Sequence, residues 1–203
     1  EITEQVIQEQ MTNYGIKMWR SEAPKEALMR ISPKTATLFD GEWQGIPNFR
    51  KLFANLLKGK EVVKENISFV NNIKGQIILT GAIDEYYNYC YGELPYRGMK
   101  SCHCQSEQGL EVGVINFPND FPFVRMIDYQ RLGYQNYIGF EFPSNDKHYP
   151  VNNKTSIDLY NKYKALAEKD NIILAGRLGL YKYMDMDDCI ENALEIIKGL
   201  TRK

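Results

Sequence analysis

Apolar side chains recur at helical spacing near both ends of the chain and at alternate positions between them. Ile2, Val6, Ile7 and Met11 form an amphipathic stripe that predicts a helix over residues 1–12, interrupted by Tyr14-Gly15. Pro24 ahead of Lys25-Glu26-Ala27-Leu28-Met29 predicts a second short helix with proline in its first turn. Residues 31–47 contain Pro33, Gly41, Gly45 and Pro47 and read as loop. Asn48 suits the N-cap of a third helix with Phe49, Leu52, Phe53, Leu56 and Leu57 on one side and Gly59 closing it.

The period then changes. Glu61–Asn66, Ile67–Val70, Gln76–Thr80, Leu110–Phe117, Phe123–Tyr129 and Tyr137–Phe142 read as strands separated by Gly, Asn or Pro, and their order suggests a mainly antiparallel sheet. Thr155 or Ser156 is expected to cap a helix bearing Leu159, Tyr160, Tyr163, Leu166 and Ala167 on one side. A short strand, Ile172–Ala175, and a glycine-containing loop lead to a last helix from about Asp185. Its inward side is expected to be Met186, Ile190, Ala193, Leu194 and Ile197. The predicted class is α+β. A helical region over residues 1–58 precedes an antiparallel sheet domain over 59–203, which ends in the strand–loop–helix unit.

A chain of 203 residues with 43% apolar side chains can bury a core. The net charge of −1, from 25 basic and 26 acidic side chains, argues against a general nucleic-acid binder but leaves room for a local anion pocket. Fourteen tyrosines against two histidines and two tryptophans suit a wet pocket for a sugar or a base, because each tyrosine offers an apolar face and a hydroxyl. Cys90, Cys102, Cys104 and Cys189 read as free thiols in a reducing, cytoplasmic setting. Strand alternation would turn His103 away from Cys102 and Cys104, and no second cysteine pair stands at zinc spacing, so no metal is expected. No apolar run approaches a membrane span. The chain begins at Glu1 inside a helical pattern, as a fragment or processed product would.

Several collinear motifs carry a family resemblance. The run Gly176-Arg177-Leu178-Gly179-Leu180-Tyr181-Lys182-Tyr183-Met184-Asp185-Met186 resembles the C-terminal flavin and substrate motif of UDP-galactopyranose mutases. Tyr149-Pro150-Val151-Asn152, Thr80-Gly81-Ala82-Ile83-Asp84-Glu85-Tyr86 and Leu94-Pro95-Tyr96-Arg97 are similar to further segments of that family. So are Val114-Ile115-Asn116-Phe117, Pro122-Phe123-Val124-Arg125, Gln44-Gly45-Ile46-Pro47 and the Tyr14, Lys17, Trp19 spacing. The resemblance implies an isomerase that interconverts UDP-galactopyranose and UDP-galactofuranose for cell-surface polysaccharide synthesis. The N5 of reduced FAD would attack the anomeric carbon and UDP would leave. A homodimer is common in the family.

The resemblance also implies site residues. Arg30 and Arg125 would clamp the diphosphate, where the planar guanidinium holds two oxygens at once. Tyr149 and Tyr183 would approach the same phosphates. Tyr14 and Trp19 would line the uridine and sugar region, Phe39 would stack on uracil with Leu38 and Trp43 as neighbours, and Asn116 would bind substrate. Arg177, Tyr183, Asp185 and Met186 would face the flavin, and Asp185 also suits an N-cap. The family's Gly-x-Gly-x-x-Gly pyrophosphate turn is absent from these residues, so this stretch alone is expected to hold FAD poorly. Two other readings stay open: a sugar-nucleotide-binding module without turnover, and a flavin amine-oxidase-like protein.

Overall fold

The computed structural model describes residues 4–19, 48–64, 75–132 and 136–201. The predicted helix at Lys25–Met29, the loop at 31–47 and the strand at Ile67–Val70 lie outside them.

Helix α1 spans Glu4–Trp19 and runs straight through Tyr14 and Gly15, where a break was expected. Tyr14 and Trp19 are buried at 8% and 3% exposure. Docking of those two rings outweighs the cost of an interior glycine, about 1 kcal/mol. Helix α2 spans Phe49–Leu56, and the Asn48 side-chain Oδ1 accepts the Lys51 N–H at 2.9 Å, as its sequence predicts.

Strand β1 (Ile77–Leu79) is followed by a single turn of helix, α3 (Ile83–Tyr86). Then come β2 (Tyr96–Gln105), β3 (Val114–Asn116), β4 (Arg125–Asp128) and β5 (Tyr137–Pro150). These last four form an antiparallel sheet in the order β2-β5-β4-β3. The sequence reading has no strand at β2. Its last six positions are all exposed, so neither face carries the alternation that marks a half-buried strand. Strand β5 also continues well past Phe142. Between Arg97↔Tyr149 and Gly98↔Ser144 the register shifts, which leaves residues 145–148 looped out of the ladder. Glu61–Lys64, expected to be extended in a strand, are irregular.

Helix α4 (Lys154–Lys169) is capped by Asn153 rather than by Thr155 or Ser156. Asn153 accepts the Ser156 N–H and the Ser156 hydroxyl accepts the Asn153 N–H, a reciprocal capping box. Strand β6 (Ile172–Leu174) pairs with β1 in parallel, a small two-stranded pair beside the antiparallel sheet, which agrees with a mainly antiparallel expectation. A helical turn, α5 (Gly176–Gly179), leads to α6 (Met186–Thr201). The α6 side expected to face inward is open: Met186, Ile190, Leu194 and Ile197 are all more than half exposed, because no other described element covers them.

The core lies between the parallel pair, α3 and α4, where Leu79, Ile83, Leu94, Tyr96, Tyr163 and Tyr181 pack together. Asp84 is fully buried beside it. Its carboxylate accepts the Leu94 N–H at 3.0 Å, the Tyr96 hydroxyl at 3.3 Å and the Lys147 ammonium at 3.3 Å. That node anchors the looped-out segment of β5 next to the site.

Candidate functional site

Arg125 opens β4 and sits directly opposite Glu141 on β5. Its Nε donates to Asn116 Oδ1 at 3.2 Å, one amino nitrogen donates to the Tyr14 hydroxyl at 2.8 Å, and the other pairs with Glu141 at 3.3 Å. Cross-strand pairing with β3 supplies Asn116, and α1 lying against the sheet supplies Tyr14. The guanidinium is therefore held on three sides while 37% of its side chain faces solvent. Burial pushes the Tyr14 phenol above its ordinary value, and the neighbouring Arg125 charge and hydrogen bond work in the opposite direction. The phenol stays protonated and accepts from Arg125.

A second cluster forms where the end of α1 meets the end of β5. Trp19 packs edge-on to Tyr149 at 5.8 Å and against Tyr183 at 6.1 Å, and Tyr149 and Tyr183 stack at 5.5 Å. The Arg177 guanidinium lies 4.6 Å from the Tyr149 ring centre and 5.4 Å from that of Tyr183. It donates to the Met184 carbonyl from Nε at 2.7 Å and also from an amino nitrogen, and to the His148 carbonyl at 3.4 Å. Asp185 is 4.0 Å away. The turn that aims Arg177 depends on two glycines. Gly176 takes a positive φ of 67°, and a Cβ on Gly179 would strike the Leu79 carbonyl oxygen. The Asp185 carbonyl accepts the Cys189 N–H at 3.0 Å, so Asp185 does hold the N-cap position of α6.

Between α2, the end of β5 and α6 lies a cavity of about 810 Å³. Phe53, Leu56 and Met186 give it apolar walls, and His148, Tyr149 and Arg177 give it a polar corner. Apolar walls beside two cations, Lys147 and Arg177, fit the ring portion of a flavin. No glycine-rich turn at a helix N-terminus stands among the described residues to cradle its pyrophosphate, so only that ring portion is matched.

The structure thus brings together Tyr14, Asn116 and Arg125 in one cluster and Trp19, Tyr149, Tyr183, Arg177 and Asp185 in the other. Met186 lines the cavity. Arg30, Leu38, Phe39 and Trp43 lie outside the described residues. Three site residues were missed by sequence reasoning. Glu141 is found only through the β4–β5 register. His148 arrives through the β5 loop-out. Arg97 donates from Nε to the Trp19 carbonyl at 3.0 Å and so ties the end of α1 to β2; its one sequence signal is its place in the Leu94–Arg97 motif.

Two fixed cations thus stand in this region, Arg177 against the stacked rings of Tyr149 and Tyr183 and Arg125 ringed by Tyr14, Asn116 and Glu141. A family profile described as UDP-galactopyranose mutase matches residues 9–183, and the chain belongs to that family. It is 28% identical over 87% of its length to the UDP-galactopyranose mutase of Mycoplasma genitalium, covering 54% of that protein. It is 30% identical over 90% of its length to the dTDP-fucopyranose mutase of Escherichia coli, covering 57% of it. It is 27% identical over 90% of its length to a probable UDP-galactopyranose mutase of Klebsiella pneumoniae, covering 54% of it. The chain spans about half the length of the curated relatives it matches. No described helix is long and apolar enough to cross a membrane.

Proposed function

We propose that this chain is the nucleotide-sugar-gripping and flavin-facing part of a mutase that interconverts UDP-galactopyranose and UDP-galactofuranose. The observation that carries this reading is Arg125, pinned by Tyr14, Asn116 and Glu141 yet open on one side. A planar cation fixed before the ligand arrives loses little freedom when it meets a diphosphate. In this reading Arg125, with Arg30, neutralises the diphosphate as the glycosyl bond breaks, and the hydroxyls of Tyr149 and Tyr183 orient it. Tyr14 and Trp19 line the sugar region and Phe39 covers the base. Arg177, Tyr183, Asp185 and Met186 hold the ring of FAD, and the aromatic walls exclude water. The reduced flavin, when bound, would supply the nucleophile at the anomeric carbon. Residues 1–58 serve in this reading as a helical substrate-binding region beside the sheet domain.

A second reading concerns the nucleotide. The Escherichia coli relative, at 30% identity, is named for dTDP-fucopyranose, so a thymidine diphosphate sugar is the competing substrate.

The test uses the protein expressed from its whole reading frame. Arg125→Ala should weaken UDP binding and lower turnover by about 2–5 kcal/mol, with partial rescue in Arg125→Lys. Lys164→Ala, an exposed change on α4, should leave both intact. Unchanged UDP affinity in Arg125→Ala would remove the clamp. Tight UDP binding without turnover would mark a binding module, and preference for dTDP over UDP would establish the second reading.

A further inference from the structure

Asp84 and Lys147 form an ion pair at 3.3 Å between α3 and the looped-out segment of β5, and the carboxylate is fully buried. Two neutral donors, the Leu94 N–H and the Tyr96 hydroxyl, fix that carboxylate without help from the lysine. The ammonium has further holds. It shares a hydrogen bond of 3.2 Å with the Tyr89 hydroxyl, lies 4.7 Å from the Tyr89 ring centre and stands 3.8 Å from the Glu85 carboxylate. A buried ion pair adds little net stability over apolar packing of the same volume. Its place in the chain therefore bears on what it does.

Lys147 lies in the part of β5 that the ladder does not hold, since residues 145–148 fall between the Gly98↔Ser144 and Arg97↔Tyr149 pairs. Strand β2 makes room for this loop-out: a Cβ on Gly98 would meet the Asp146 carbonyl oxygen at 2.6 Å and Ser144 Oγ at 2.8 Å. Ser144 closes the near end, where its hydroxyl accepts the Asp146 N–H at 3.2 Å and donates to the Asp146 carboxylate at 2.8 Å. At the far end His148 accepts the Met99 N–H on Nδ1 at 3.1 Å, and its carbonyl accepts from Arg177 at 3.4 Å. Tyr149 follows, with its ring 4.6 Å from the Arg177 guanidinium and 5.5 Å from Tyr183. Lys147 is thus one residue from the carbonyl that receives Arg177 and two from the ring on which Arg177 lies.

We propose that Asp84 and Lys147 are positioning residues that fix Tyr149 against Arg177 for the nucleotide diphosphate. The inference rests on the proposed function, in which the Tyr149 hydroxyl orients that diphosphate. Asp84 is held by the core between α3 and α4, so the ion pair refers the loop-out to a buried, fully bonded carboxylate. With the ammonium seated there, the His148 carbonyl and the Tyr149 ring both meet the guanidinium. With it released, residues 145–148 keep the Ser144 turn and the single bond from Met99, and Tyr149 gains freedom that the ligand must then remove. Lys147 also lines the cavity, so its charge and its seat on Asp84 are separable by variants that change one and keep the other.

The test uses the protein expressed from its whole reading frame, with UDP as the probe. Asp84→Asn keeps the ammonium and removes its ionic seat. The joint Asp84→Asn, Lys147→Met variant strands no charge and should melt close to the parent. Both should bind UDP about tenfold more weakly in calorimetry, the worth of one hydrogen bond to a charged group. Turnover at saturating substrate should fall about tenfold or more, since a misplacement of about 1 Å costs up to about 100-fold. Beside Tyr149→Phe the joint change should cost no further UDP affinity, because the hydroxyl that it positions is already gone. The proposal fails if the folded joint variant binds UDP and turns over like the parent, or if its effect persists in full beside Tyr149→Phe. It also fails if Asp84→Asn matches the parent while Lys147→Met does not, because the lysine charge would then act on the ligand directly. Should either Asp84 variant not fold, Lys147→Met, changed at the partly exposed partner, runs the same cycle with Tyr149→Phe. A parent that binds no UDP overturns the proposed function and this inference with it. UDP affinity lost in Arg125→Ala but kept in the joint variant overturns this inference alone.

Discussion

The Tyr14 hydroxyl accepts a hydrogen bond from Arg125 at 2.8 Å across 111 residues of sequence. This bond ties the helix to the sheet at the point where the clamp must hold its shape. Removing the hydroxyl in Tyr14→Phe leaves Asn116 and Glu141 on the guanidinium, so the cation stays buried to the same degree but swings more freely. A hydrogen bond to a charged group is worth about 1.5–3 kcal/mol. Tyr14→Phe should therefore weaken nucleotide diphosphate binding, measured by calorimetry, while the fold survives. Equal affinity in the variant would mean that Asn116 and Glu141 alone set the guanidinium.

Asp84 is the buried anchor of the looped-out β5 segment. Asp84→Ala leaves Lys147, Tyr96 and the Leu94 N–H without their common acceptor. Breaking a buried charge pair from one side costs about 3–5 kcal/mol, and part of this is relieved because the Lys147 side chain is 29% exposed. Denaturant melts should show a large loss in Asp84→Ala and a smaller one in Lys147→Met. The reverse order would show that the lysine, not the carboxylate, organises the node.

Gly179 packs against the backbone of β1, where an added Cβ would meet the carbonyl oxygen of Leu79. Backbone cannot swing aside like a side chain end. Gly179→Ala should destabilise the protein by about 1–3 kcal/mol and displace Arg177, which rides on the same turn. Tyr160, whose hydroxyl donates to the Gly179 carbonyl at 3.4 Å, reports on that displacement through its fluorescence. A variant with parent stability would show that β1 and α5 separate easily.

Alkaline pH should unfold the protein. Burial pushes the Tyr160 and Tyr181 phenols from 10.0 up to about 12. Burial works against the Lys147 ammonium, yet its hydrogen bond to Tyr89 and the Asp84 carboxylate outweigh it and raise its pKa. All three folded-state values are raised, so the folded protein holds protons that the unfolded chain gives up. Their contribution is complete below the ordinary tyrosine value of 10.0 and is lost as pH climbs toward about 12. Stability against urea should be level up to that lower value and fall above it, with tyrosinate absorbance rising as the protein unfolds. Tyrosinate appearing at full native stability would contradict the burial of these rings.

Much of this protein was set by its local chemistry. Asn48 caps α2 because its side chain reaches the Lys51 N–H within one turn. Arg125–Asp128 forms a strand within the run Phe123–Tyr129 whose composition predicts one. The ordered motifs single out Tyr14 and Arg125, which meet in one cluster, and Trp19, Tyr149 and Arg177, which meet in the other. Such features depend on neighbours a few residues apart, which a sequence displays directly. What surrounds those residues depended on the tertiary structure. Glu141 reaches Arg125 through strand register, and His148 reaches Met99 and the cavity through a four-residue loop-out. Helix α1 continues through Gly15 because two distant aromatic rings find a surface to bury on, and β2 exists because β5 pairs with it despite a solvent-exposed sequence on both faces. The apolar side of α6 reads as inward by its period yet stands open, because periodicity identifies a face and only a packed neighbour can bury it.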